Sequence, residues 1–145
     1  MTGKRFVLDS SIAIAWFFPE AEAGRLCAAA VNRMLRDGEF TALVPELFHT
    51  EVAEFFMRRR RTPGARFGET RLSNALNDLD ALGIQTIIRP HSYREIISWA
   101  KQFHVQAKDA PFVQLAHLFG LPLATLDGGQ RQAAKSFSIG LIHFN

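Results

Sequence analysis

The sequence predicts an α/β protein, a three-layer α/β/α sandwich with a central, mostly parallel sheet. Segments with helical spacing alternate with short apolar segments along the whole chain, as in folds built from strand-helix-strand units. The short segments are apolar throughout, which is typical of strands that helices cover on both faces. Because the 145 residues contain no internal repeat, low-complexity tract or linker, we expect one domain over residues 1–145.

Helical spacing and breaker residues set the boundaries of the predicted elements. Asp37-Gly38 ends the second helix, Thr62-Pro63-Gly64 separates the third from the fourth, and Gly120 caps the sixth. Pro45 fits the first turn of the third helix, where its missing N–H costs no hydrogen bond. In chain order we predict a strand at 5–9, helices at 12–18 and 20–36, a strand at 40–44, helices at 45–61 and 66–82, a strand at 84–88, helices at 92–103 and 109–119, a strand at 121–126, a helix at 130–137 and a strand at 139–144.

Composition favours a reducing, aqueous compartment. Cys27 has no second thiol to pair with inside the chain, and no run of eighteen apolar residues occurs. The start of the chain has the pattern of neither a signal peptide nor a spanning helix. We therefore expect a cytoplasmic protein without a membrane partner.

Two acids follow apolar strands directly. Asp9 ends the first predicted strand, and Asp127 ends the strand near the other end of the chain. Functional groups of open parallel sheets collect at the carboxyl ends of the strands, because the loops there converge on a crevice. Either acid is equally suited to cap the helix that follows it.

Two further acids lie on predicted helices. Glu51 falls inside the apolar stripe of the third helix, where a carboxylate needs either a metal or a buried ion pair with an arginine. Asp109 opens the sixth helix on the side of its apolar residues, although a plain N-cap role is open to it as well.

Four carboxylates directed into one crevice repel each other unless a cation supplies compensating charge. Oxygen ligands suit Mg²⁺ or Mn²⁺, whereas zinc draws on histidine and cysteine. The histidines are scattered without ligand spacing, at positions 49, 91, 104, 117 and 143. The acids therefore predict a magnesium or manganese site formed by Asp9, Glu51, Asp109 and Asp127.

Positive charge is concentrated in one segment. The formal net charge of +3 slightly favours a polyanionic partner, and Arg58, Arg59, Arg60 and Arg61 follow one another at the end of the third helix. Four successive helical residues point around the whole axis, so they cannot share one face. The run is compatible with phosphate binding. It is equally compatible with a solvated helix end, where cations complement the helix dipole.

Several other chemistries lack their motifs. His49-Thr50-Glu51 has the H-x-E spacing of a nucleic-acid deaminase, but no P-C-x-x-C accompanies it. The glycine-rich patterns of a P-loop, a dinucleotide-binding turn and a serine hydrolase elbow are also absent from the sequence.

With these residues placed, the sequence resembles the PIN-domain ribonucleases, particularly the bacterial VapC-type toxins of toxin-antitoxin pairs. Each motif is short, but four occur in the family's order on the expected elements, over almost the whole chain. They are Phe6 to Ser11 with the first acid, Val44 to Leu47 continuing through Glu51 to Ala53, Asp109 to Ala116, and Gly120 to Asp127.

The resemblance implies a PIN-like fold and a metal held by the four matching acids. It also implies that Ser10, Ser11 and Thr125 orient those ligands, and that the protein forms a homodimer and binds a small antitoxin. Three features depart from the usual pattern, namely Lys108 before the third acid, Pro111 within the third motif, and Gly128-Gly129 after the last acid. Lys108 is placed either to pair with a carboxylate or to contact phosphate.

The sequence thus predicts hydrolysis of RNA phosphodiester bonds with Mg²⁺ or Mn²⁺ as cofactor, by the toxin of a toxin-antitoxin system. Arg58 to Arg61 and Lys108 would hold the RNA strand, which we expect to be single-stranded or looped. The alternatives are a structure-specific DNA nuclease and a catalytically silent binding module whose acids are caps and ion pairs.

Overall fold

The computed structural model describes residues 3–18, 22–64 and 66–142, and strands and helices alternate along them. The four strands within these residues are β1 (Lys4–Leu8), β2 (Phe40–Pro45), β3 (Gln85–Ile87) and β4 (Leu123–Ala124). The seven helices there are α1 (Ser10–Phe17), α2 (Glu22–Arg36), α3 (Leu47–Arg61), α4 (Glu69–Asp80), α5 (Tyr93–Phe103), α6 (Ala110–Phe119) and α7 (Gly128–Ser136). Residue 20, where we placed the start of the second helix, lies outside the described part.

The sheet has the order β3-β2-β1-β4, and every strand pair is parallel. Phe6, Val7 and Leu8 of β1 are all 0% exposed. Since successive strand residues point to opposite faces, this burial shows that helices cover both faces of the central strand. The predicted α/β class with a parallel sheet is confirmed.

The boundaries of the four observed strands differ from the predicted ones by one or two residues, and the differences at Pro45 and at the last predicted strand have a structural consequence. Pro45 ends β2, paired with Ile87, and α3 begins only at Leu47. Proline is compatible with a strand end for the same reason as with a first helical turn, since it lacks an N–H to donate. The strand predicted at 139–144 is represented in the described residues by a parallel bridge between Leu123 and Leu141, and its last two residues lie outside them.

The chain order creates a crevice beside β1. Connections lead from β1 through β2 to β3 on one side, and the chain then returns to place β4 against the other side of β1. Ligand sites of open α/β sheets lie at such a reversal, outside the carboxyl ends of the strands. Asp9 follows β1 and Asp127 follows β4 after two intervening residues, so both lie at this crevice.

Among the described residues, no helix combines the length and apolar composition that crossing a membrane requires.

Candidate active site

Asp9 and Asp127 each cap the helix that they precede. Oδ2 of Asp9 accepts the backbone N–H of Ser11 at 3.2 Å at the start of α1, and Oδ2 of Asp127 accepts that of Gln130 at 2.8 Å at the start of α7. The cap interpretation of these acids is therefore correct as a local description. Both side chains also line the cleft described below, so capping and a place in the site coincide.

Asp109 and Glu51 approach the same region from α6 and α3. Asp109 precedes α6 but its side chain makes no capping hydrogen bond, and the residue is only 8% exposed. Glu51 is half-buried, and its Oε1 accepts a hydrogen bond from Ser10 Oγ at 3.1 Å. Among the described residues, the hydrogen-bond partner of Glu51 is therefore a serine, not the arginine that the ion-pair alternative requires.

One cleft, here called the acidic cleft, contains all four predicted acids. Its walls come from the starts of α1, α6 and α7 and from the part of α3 between Thr50 and Arg58. Besides Asp9, Glu51, Asp109 and Asp127, they include Ser10, Ser11, Ile14, Thr50, Glu54, Phe55, Arg58 and Lys108.

Two hydroxyl groups fix the Asp9 carboxylate. Oγ1 of the buried Thr125 donates to Asp9 Oδ2 at 3.0 Å and accepts the backbone N–H of Asp127 at the same distance. The hydroxyl of Ser11 also donates to Asp9 Oδ2, and it accepts the backbone N–H of Leu126 at 3.0 Å. Ser11 and Thr125 therefore tie the loop after β4 to the first acid.

Gln130 is a site residue that the sequence analysis did not identify. It is 0% exposed, and its Nε2 donates to Asp9 Oδ1 at 2.9 Å and to Asp109 Oδ1 at 3.1 Å. The available signal was its position, since Gln130 shares a helical stripe with the buried Ala133 and Ala134. A polar residue inside an apolar stripe was the same signal that identified Glu51.

The acids affect each other electrostatically. Burial raises the pKa of Glu51, a hydrogen bond from Ser10 opposes the increase, and the charges of Asp9 and Asp109 add to it. Burial likewise raises the pKa of Asp109, against the hydrogen bond from Gln130, with further increases from Asp127 and Asp9. Lys108 lowers the pKa of both Glu51 and Asp109, so its positive charge is felt inside the cleft.

The donor atoms fit a hard divalent cation. All four acids contribute oxygen, and one oxygen each from Asp9 and Asp109 converges on a single nitrogen of Gln130. Within the described part of the chain, no three carboxylate, imidazole or thiol groups are close enough to hold one ion as the side chains stand. An ion held by three of these carboxylates would therefore need them to lie closer together than they do in this structure.

The arginine run divides among different environments. Arg58 lines the acidic cleft, whereas the guanidinium of Arg59 lies 4.8 Å from the ring centre of Phe18 and 5.4 Å from that of Phe55. Arg60 forms an ion pair with Glu69 of α4, and Arg61 lies 3.5 Å from Glu54. As expected from four successive helical positions, the run forms no single basic face.

Comparisons with known proteins agree with this geometry. Residues 6–136 match the sequence profile of the PIN domain, a family whose members are generally nucleases. A comparison with curated protein sequences gave no significant match.

Solved structures of low sequence identity share the fold. PAE2754 from Pyrobaculum aerophilum has a TM-score of 0.60 and 17% identity, covering 91% of this chain and 87% of that chain. FitAcB from Neisseria gonorrhoeae has a TM-score of 0.56 and 18% identity over 95% of this chain and 96% of that one. VapBC2 from Rickettsia felis, bound to a DNA fragment from their promoter, has a TM-score of 0.52 and 12% identity over 97% and 99%. With nearly the whole chain matched by the family profile, this protein belongs to the PIN-domain family.

Proposed function

We propose that this PIN-domain protein is a Mg²⁺- or Mn²⁺-dependent endoribonuclease. The observation that carries the proposal is the meeting of four carboxylates, from sequence positions far apart, in one cleft at the carboxyl ends of β1 and β4. Burial and mutual repulsion raise the pKa of two of them, Glu51 and Asp109, which is an arrangement that costs stability without a cation. Such a cost is characteristic of a functional site.

Asp9 and Asp109 would hold the ion together with Glu51 and Asp127. When bound there, the cation would supply positive charge against the phosphate oxygens and would lower the pKa of a water molecule. Ser11 and Thr125 keep the Asp9 carboxylate in one orientation through hydrogen bonds to its Oδ2. Ser10 does the same for Glu51.

Among the predicted RNA-binding residues, Arg58 and Lys108 line the acidic cleft. They would contact the phosphates of a bound strand there. Single-stranded or looped RNA fits best, because its unstacked bases are free to be read by side chains. Arg59, Arg60 and Arg61 contact other protein side chains, so they would contribute less to RNA binding.

The proposed biological role is that of a toxin in a toxin-antitoxin pair, acting as a homodimer in the cytoplasm. Support comes from the resemblance to VapC-type toxins and from the fold shared with FitAcB and VapBC2. The antitoxin would be a small protein whose arginine side chain enters the acidic cleft. Co-purification with a short protein encoded next to the gene tests the partner, and light scattering coupled to gel filtration tests the dimer.

Cleavage of a labelled single-stranded RNA pool tests the activity. The wild type should cut with Mg²⁺ or Mn²⁺ and lose the activity in EDTA. Asp9→Asn should lose at least about a hundredfold, since it removes a charged ligand from the centre of the cleft. Asp37→Asn is the matched control, because Asp37 is an exposed acid at the end of α2 and should leave cleavage unchanged.

The alternatives give different results in the same assay. A DNA nuclease would cut labelled single-stranded or branched DNA under these conditions and leave the RNA intact. A silent binding module would show no difference between the wild type and Asp9→Asn on any nucleic acid with either metal. Either result would contradict the endoribonuclease proposal.

A further inference from the structure

The amide of Gln130 occupies an unusual position between two acids. Its Nε2 lies 2.9 Å from Asp9 Oδ1 and 3.1 Å from Asp109 Oδ1, and the residue is fully buried. A primary amide has two N–H groups, so one is available for each carboxylate. Gln130 therefore links the acid after β1 to the acid before α6.

The other end of the same amide shows what this arrangement costs. Among the described residues, Oε1 of Gln130 is the buried side-chain atom that has no hydrogen-bond partner. Rotating the amide by half a turn would place this oxygen against both carboxylates, where lone pairs would face lone pairs. The carboxylates thus decide the orientation of the amide, at the expense of its carbonyl group.

Packing alone does not explain a glutamine at this position. Its helical neighbours Ala133 and Ala134 are buried and apolar, and an apolar side chain would fill the same space without an unsatisfied oxygen. The amide is instead suited to the two carboxylates, whose ionised forms accept its N–H groups. We infer that Gln130 is a positioning residue that holds Asp9 and Asp109 together in the geometry that binds the cation. This inference rests on the function proposed above.

Mn²⁺ binding by the full-length protein tests this inference. Gln130→Met keeps the length and most of the volume of the side chain but removes the amide. Its affinity for Mn²⁺, measured by calorimetry or by the electron paramagnetic resonance of free Mn²⁺, should fall by about tenfold or more, as for other groups that orient metal ligands. The melting temperature in EDTA should also fall, because Asp9 Oδ1 and Asp109 Oδ1 lose the donor they share, so the Mn²⁺ affinity is the deciding measurement.

Gln132→Met is the matched control, since Gln132 lies on the same helix with its side chain exposed. A purely structural role would lower the melting temperature of Gln130→Met and leave its Mn²⁺ affinity equal to that of the control, which would overturn the inference. If the wild type cleaves RNA but binds Mn²⁺ no more tightly than Gln130→Met does, the inference is overturned and the proposed function stands. A wild type that binds no Mn²⁺ would overturn both.

Nuclear magnetic resonance of the wild type supplies a test that does not depend on the variant folding. The side-chain N–H₂ protons of Gln130 should exchange with solvent far more slowly than those of Gln132, and their resonances should shift on addition of Mg²⁺. Exchange as fast as that of Gln132 would contradict the two hydrogen bonds and with them the inference.

Discussion

Asp9 and Asp127 show how one carboxylate serves two purposes. Each accepts a backbone N–H at the start of a helix, where the unpaired N–H groups and the helix dipole favour negative charge. The helices α1 and α7 therefore stabilise charges that would otherwise repel each other across the cleft. Gly129 belongs to this arrangement, because a Cβ at that position would lie 3.2 Å from Asp127 Oδ2 and press on the carboxylate.

Removing the charge of Glu51 should stabilise the protein in EDTA. The pKa of this carboxyl is raised from its ordinary value, so the folded protein binds the proton more tightly than the unfolded chain does. Stability is consequently lost as the pH rises from the ordinary pKa through the raised one. At pH 8 we expect Glu51→Gln to melt about 2 °C above the wild type, with the gain disappearing near pH 4.

The melting temperatures of both proteins at several pH values measure this effect. Glu39→Gln is a suitable control, because Glu39 is exposed before β2 and does not line the acidic cleft. A gain for Glu51→Gln that is equally large at pH 4 would show that the raised pKa is not its cause.

Arg58 and Arg60 should differ in RNA binding although they are nearly adjacent. Arg58 lines the acidic cleft, whereas Arg60 is engaged by Glu69. In an inactive Asp9→Asn background, Arg58→Ala should weaken RNA binding through the loss of about one phosphate contact. For a single strand, this loss should make the slope of log binding constant against log salt concentration shallower by roughly 0.7. Arg60→Ala should bind almost as the parent does.

Fluorescence anisotropy with labelled RNA at several salt concentrations gives both quantities. If Arg60→Ala lost as much affinity and salt dependence as Arg58→Ala, the arginines would act as one basic surface, contrary to the environments in the structure.

Among the elements, α5 carries its own start and stop signals. Ser92 Oγ accepts the N–H of Glu95 at 3.3 Å, and Glu95 Oε1 accepts the N–H of Ser92 at 3.1 Å, so both residues form a capping box. His104 ends the helix in the left-handed conformation, with φ of 56°. Local chemistry therefore determines this helix, which was predicted within one residue of its observed start.

Ser92→Ala should destabilise the protein without affecting the site. Loss of the cap should cost about 1 kcal/mol and lower the melting temperature by roughly 3 °C. RNA cleavage at low temperature should stay at the wild-type rate, because neither capping residue lines the acidic cleft. Ser98→Ala, at an exposed position within the same helix, should leave the melting temperature almost unchanged. Equal melting temperatures for the two variants would argue against the capping box.

On the scale of the whole molecule, β1 joins the core to the site. It lies between β2 and β4, its last three residues are fully buried, and Asp9 follows it directly. Leu8→Ala should lower the free energy of unfolding by about 2 to 5 kcal/mol, because it leaves a cavity in close-packed surroundings. Urea denaturation measures this loss. Ile88→Ala, at a residue that is 71% exposed, should change the free energy of unfolding by less than about 0.5 kcal/mol. A loss below 1 kcal/mol for Leu8→Ala would contradict the central place of β1.

The sequence by itself determined the fold class, most helices and the four candidate acids. Uniformly apolar strands require cover on both faces, and breaker residues interrupt helical spacing wherever the chain turns, so both signals are local. Asp9 and Asp127 were identifiable because strand ends of a parallel sheet meet at one edge. Glu51 was identifiable because a carboxylate in an apolar stripe needs a partner.

Only the tertiary structure decided which groups meet across long separations in the chain. The contact of Gln130 with Asp9 and Asp109, the serine partner of Glu51 and the separate environments of Arg58 and Arg60 all depend on how α1, α3, α6 and α7 pack around β1. The extent of the last predicted strand was also decided by the tertiary structure, since its strand pairing within the described residues is a single bridge at Leu141. Such contacts arise from the relative placement of whole elements, and spacing within one element carries no information about it.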